Sequence, residues 1–69
     1  IKPQFEAGPE NVGKGGVVRD EAIRAMVVDE VCEAARTLGF TQIDVITSPL
    51  KGPAGNIEYL AYLRQDGLS

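Results

Sequence analysis

Two ionisable residues sit where their neighbours are apolar: Lys2 in the segment Ile1–Glu6 and Glu58 in the segment Asn56–Arg64. A charge in such a strand-like setting is costly unless it is paired or used. If the two segments are neighbours, the ammonium and the carboxylate come within hydrogen-bonding reach. The pair is then either a structural ion pair or an acid/base pair, and spacing alone leaves both open.

The stretch Gly8-x-x-x-x-Gly13-Lys14 matches most of a phosphate-cradling loop, in which backbone N–H groups surround a phosphate and the lysine reaches its terminal oxygens. Gly15 breaks the match, because a Ser or Thr would have to ligand a metal ion there, and Gly16 to Arg19 displace the following helix from the loop. Gly13, Gly15 and Gly16 suit either a loop with unusual dihedrals or a flexible surface loop. Lys14, Arg19, Arg24 and Lys51 lie in or beside the glycine-rich loops, as a phosphate-contacting patch or as solvated loop charges. Cys32 has neither a second Cys nor a His near it and reads as an inert helical thiol. Tyr59 and Tyr62 point to opposite faces of one strand, so they form no common stacking platform and read as packing residues.

The elements that must hold these residues follow from the pattern. Ile1–Glu6 reads as a short strand that runs into a turn-rich stretch through Gly16. Asp20 is an N-cap, Glu21 a first-turn acid, and Ile23, Val27, Val31, Ala34, Ala35 and Leu38 share one face, which predicts a helix ending near Leu38. Gly39 and Phe40 suit the C′ and C″ positions of a Schellman motif. Phe40–Thr47 is rich in β-branched residues and is ended by Ser48-Pro49, Lys51 to Asn56 is a second Gly/Pro loop, and Asn56–Arg64 is a strand largely apolar on both faces. The order strand, helix, strand, strand predicts an α/β unit with a crossover between parallel strands and an antiparallel last strand. Gln65–Ser69 reads as a frayed end.

At 69 residues the chain buries only about 60% of its unfolded surface. One cysteine and no histidine leave neither a disulfide nor a structural zinc site to compensate and fit a reduced, cytoplasmic setting. No apolar run reaches the roughly 18 residues of a membrane span, so no membrane partner is expected. The net charge of −3 rules out a broad basic face, so most of any RNA affinity must come from elsewhere. The start at Ile1 and the doubly apolar last strand together suggest a cut through a longer polypeptide.

Three blocks, Ile1-Lys2-Pro3-Gln4-Phe5-Glu6-Ala7-Gly8, Val12-Gly13-Lys14-Gly15-Gly16-Val17-Val18-Arg19-Asp20 and Ser48-Pro49-Leu50-Lys51-Gly52-Pro53-Ala54-Gly55-Asn56-Ile57-Glu58-Tyr59, stand in order along nearly the whole chain. Together they resemble the C-terminal segment of the TlyA (haemolysin A) family of FtsJ-like RNA methyltransferases. Glu21 stands where that pattern has a proline, and either residue suits a first helical turn. The resemblance implies the C-terminal strand-helix-strand-strand portion of a class I, Rossmann-like methyltransferase sheet. Residues 1–69 would then be part of a single catalytic domain, with the cofactor-binding half and an S4-type RNA-binding domain N-terminal to Ile1.

It further implies transfer of methyl from S-adenosylmethionine to a ribose 2′-hydroxyl of ribosomal RNA, on the free RNA or a ribosomal subunit. Lys2 and Glu58 would be the last two members of a Lys-Asp-Lys-Glu tetrad, with Lys14, Arg19 and Lys51 as candidate RNA contacts. A ribose hydroxyl must lose its proton as it attacks, and a neutral amine can take it. Lysine, with a reference pKa of ~10.4, needs desolvation and a neighbouring cation to be neutral, and the tetrad's other lysine would be that cation. The alternative is a non-enzymatic anion- or RNA-binding module built on the glycine-rich loop, with Lys2 and Glu58 as a structural pair.

Overall fold

The structure, a computed structural model, describes residues 1–66. Its elements are a one-turn helix α1 (Pro3–Glu6), a long helix α2 (Glu21–Thr37) and two strands, β1 (Gln42–Thr47) and β2 (Tyr59–Arg64), with short 3-10 turns at Pro9–Asn11 and Pro53–Gly55. The strands pair antiparallel, from Thr47 opposite Tyr59 to Gln42 opposite Arg64. The frayed end expected over Gln65–Ser69 falls partly on residues 67–69, which lie outside the described residues.

Both ends of α2 form as their residues dictate. Asp20 caps the first turn by accepting from the Ala22 N–H at 2.9 Å. At the other end the Phe40 N–H donates to the Ala35 carbonyl and the Gly39 N–H to that of Arg36, the two bonds of a Schellman motif. The buried face is shorter than its pattern suggests. Val27 and Ala35 are buried and Ile23 and Val31 half-buried, but Ala34 and Leu38 are exposed. The reason is where the core lies: Ala7, Val18 and Val27, with Ile1, Val12 and Ile23 against them, gather around the N-terminal half of the helix. Tyr62, expected to pack, is also exposed among the described residues.

The first expected strand is corrected. Only Ile1 and Lys2 are extended, and the chain then turns into α1. Pro3 causes the change: it forces the residue before it out of helical space, where Lys2 stands at φ −117° and ψ 93°, and its own fixed φ and missing N–H suit the first helical position. No parallel crossover occurs among the described residues; the antiparallel return does. Ile1 nonetheless behaves as a strand residue, because its nitrogen donates to the Tyr59 carbonyl and its carbonyl accepts from the Tyr59 N–H. That reciprocal exchange is the signature of an antiparallel pair. Tyr59 is therefore flanked on both edges, by Ile1 and by β1.

Among the described residues Asn56 is the one buried polar or charged residue, at 1% exposure, and every polar atom of its side chain is used. Its Oδ1 accepts from the Val18 N–H at 3.0 Å, and its Nδ2 donates to the carbonyls of Gly16 at 2.8 Å and Pro53 at 2.9 Å. Asn56→Ala leaves the Val18 N–H without its acceptor and the Gly16 carbonyl without its donor, while the Pro53 carbonyl keeps the backbone N–H of residue 56, and is expected to destabilise the fold by about 2 kcal/mol in urea unfolding.

Candidate active site

The register fixes the site. With Ile1 opposite Tyr59 in antiparallel pairing, the next residue of one segment faces the previous residue of the other, so Lys2 comes opposite Glu58. Pro3 holds Lys2 extended, and the Ser48 N–H donates to the Glu58 carbonyl at 2.8 Å, so the backbone is held on both sides of the pair. The Lys2 ammonium donates to Glu58 Oε2 at 3.1 Å across a separation of 56 residues in sequence. The lysine side chain is half-exposed at 49%, and the carboxylate is largely covered at 17%. The ammonium also lies 5.8 Å from the centre of the exposed Phe5 ring.

Two residues the sequence reading did not single out complete the carboxylate's surroundings. Gln4 Nε2 donates to the same Oε2 at 2.9 Å. Gly52 lies behind the carboxylate, so close that a Cβ at this position would overlap Glu58 Oε2 and Cδ. Gly52 is thus a glycine for room, since its φ of −80° is open to any residue. The hydrogen bond from Gln4, then that from Lys2, together with the lysine's charge, hold the Glu58 carboxyl below the usual carboxylate range, against a smaller opposing effect of burial.

The glycine-rich loop is a tight turn that satisfies itself. The Gly13 N–H donates to the Val17 carbonyl and the Gly16 N–H to that of Gly13, with Gly15 at φ +84° in the position that demands a left-handed residue. The Val18 N–H is taken by Asn56. These donors are therefore unavailable to cradle a phosphate, and the carboxylates of Asp20 and Glu21 occupy the start of α2 where an anion would sit. Lys14, Arg19 and Lys51 are all exposed. Arg19 reaches back to the Lys14 carbonyl, and Arg24 to those of Val18 and Arg19, so both arginines also knit the loop. Because Asn56 bonds both Gly16 and Pro53, the loops carrying Lys14 and Lys51 lie side by side.

A hollow of about 390 Å³ beside the pair is lined by Gln4, Phe5, Gly8, Pro9 and Val12. It offers no charged side chain to grip a sulfonium or a ribose diol, so these residues do not by themselves make an S-adenosylmethionine pocket. No described helix is long and apolar enough to cross a membrane.

Residues 1–65 match the model of the FtsJ-like methyltransferase family. The chain is 50% identical over 64 residues to the 16S/23S rRNA (cytidine-2′-O)-methyltransferase TlyA of Mycobacterium tuberculosis, covering 93% of this chain and 24% of that protein. It is 44% identical over 62 residues to hemolysin A of Brachyspira hyodysenteriae, covering 90% and 26%. The crystal structure of a Lactococcus lactis protein designated a hemolysin has a TM-score of 0.88 at 47% identity, covering 97% of this chain and 32% of the other. The chain belongs to the FtsJ-like methyltransferase family. It spans about a quarter of the length of the curated relatives it matches.

The lowered Glu58 carboxyl sets a pH dependence. Its contribution to stability is complete above the pKa it has in the unfolded chain and is lost as pH falls through the lower folded-state value. The difference in urea midpoint between wild type and Glu58→Gln should therefore be full at neutral pH and shrink as pH falls through and below the ordinary carboxylate range. Gly52→Ala, by displacing the carboxylate, should return the Glu58 titration observed by carboxyl NMR towards the ordinary range at neutral cost to α2.

Proposed function

We propose that the protein carrying this chain transfers methyl from S-adenosylmethionine to a ribose 2′-hydroxyl of ribosomal RNA. Residues 1–69 are the C-terminal part of its single methyltransferase domain, with the cofactor-binding half and an S4-type RNA-binding domain N-terminal to Ile1. The observation that carries this reading is the Lys2–Glu58 pair at 3.1 Å, in a chain of a methyltransferase family whose relatives include a ribose 2′-O-methyltransferase.

S-adenosylmethionine, held by parts of the domain outside this chain, would supply an electrophilic methyl group, with the neutral thioether as leaving group. The ribose oxygen would form the new O–CH3 bond while its proton passes to Lys2, which must first give up its own proton; the cation that favours this would be the tetrad's other lysine, outside this chain. Glu58 orients Lys2 and balances the charge of the ammonium that results. Lys2 is exposed enough to meet a substrate and tethered enough to be aimed, a combination that a purely structural pair does not need. Lys14, Arg19 and Lys51, on neighbouring loops, contact RNA phosphates near the target, while the bulk of RNA affinity resides outside this chain. A cytoplasmic setting, where ribosomal RNA is found, follows from this substrate.

Transfer of labelled methyl to unmodified ribosomal RNA tests the reading. Lys2→Ala in the full-length protein is expected to lower turnover at least ~100-fold, and the 69 residues alone to transfer nothing. Near wild-type turnover by Lys2→Ala would remove Lys2 as the base, and methyl transfer by the isolated chain would refute its description as part of a domain.

A further inference from the structure

Gln4 approaches Glu58 Oε2 at 2.9 Å, closer than the Lys2 ammonium at 3.1 Å. The acceptor fixes the sense of its amide, because the opposite orientation would aim a carbonyl oxygen at a carboxylate. Held this way, Gln4 Oε1 is buried with no hydrogen-bond partner among the described residues. A buried acceptor without a partner is costly. A side chain retained for packing alone would be better apolar, so the amide is explained by the one bond it makes. Ammonium and amide converge on a single carboxylate oxygen, while Gly52 admits the carboxylate from behind. The carboxylate is thereby held by two donors, one on α1 and one on the extended start, in room left by the second loop.

We propose that Gln4 is a positioning residue: its amide fixes the Glu58 carboxylate and, through it, the direction of the Lys2 amine. The catalytic consequence rests on the reading of Lys2 and Glu58 given above, but the clamp on Glu58 does not. Gln4 reaches no reacting atom in this account, so its effect on turnover must pass through Glu58. Its bond is also the foremost cause of the lowered Glu58 carboxyl.

Gln4→Met in the full-length protein keeps the length of the side chain and removes the donor, and thermal unfolding reports whether the fold is kept. Gln4→Asn, which keeps an amide one methylene too short to reach, is a second variant should the first not fold. Carboxyl NMR should show the Glu58 titration moved up towards the ordinary range in either variant. Turnover should fall about 10-fold with KM for RNA unchanged, and the same substitution in a Glu58→Gln background should change turnover by less than about two-fold. An unmoved Glu58 titration, or an undiminished loss in the Glu58→Gln background, would overturn the proposal while leaving the catalytic reading intact. A moved titration with full turnover in Glu58→Gln would support the clamp and sink the catalytic reading instead.

Discussion

The geometry of the candidate site depends on one buried side chain outside the Lys2–Glu58 pair. Asn56 joins the glycine-rich loop to the loop that leads into β2, accepting from Val18 and donating to Gly16 and Pro53. Buried at 1% exposure with every hydrogen bond made, it is the kind of polar contact that specifies one arrangement, because any other arrangement leaves donors and acceptors unmet. Glu58 lies two residues further on, and Gly52, whose missing side chain makes room for the carboxylate, lies four residues before. The Gly52 N–H donates to the Asn56 carbonyl, so the same residue also closes the turn that brings Gly52 against Glu58.

From that anchor the rest follows through register. Tyr59 has Ile1 on one edge and β1 on the other, and its reciprocal bonds with Ile1 place Lys2 opposite Glu58. Pro3 then ends the extended segment at once, and the turn it starts returns Gln4 to the same carboxylate. Lys2 and Gln4 are thus delivered by a single local device, a proline placed directly after the last strand-like residue. The small core around Val18 and Val27 packs α2 against this arrangement, but it supplies none of the polar groups.

What could be read from the sequence was what local chemistry decides. The Asp20 cap and the Gly39–Phe40 end of α2 are written in adjacent residues, and so are the β-branched run of β1 and the breaks at the two loops. Ile1–Glu6 has the look of a strand, with Ile1 and Phe5 apolar, but Pro3 decides its course, and its effect on Lys2 and on the following turn is equally local. The phosphate-loop resemblance failed in its final position, and the structure adds that the N–H groups of Gly13, Gly16 and Val18 are already taken. The proximity of Lys2 and Glu58 was legible only as a condition, since it spans 56 positions and needs the register of Ile1 with Tyr59. Gln4 and Gly52 gave less signal still. Their importance lies in which atoms they approach, although Gln4 standing two residues after Lys2 and Gly52 standing in the loop before Glu58 were available as hints. The roles assigned to Lys2 and Glu58 came from family resemblance, and the geometry supplies the means by which two such residues can act together.

The most direct measurement is a structure of the full-length protein with ribosomal RNA and a donor analogue that cannot transfer its methyl group. The account predicts the target 2′-oxygen within about 2.6–3.2 Å of Lys2 Nζ, with Glu58 still bonded to that nitrogen. A ribose seated for transfer with its 2′-oxygen beyond the reach of Lys2, directly or through one water, would contradict it.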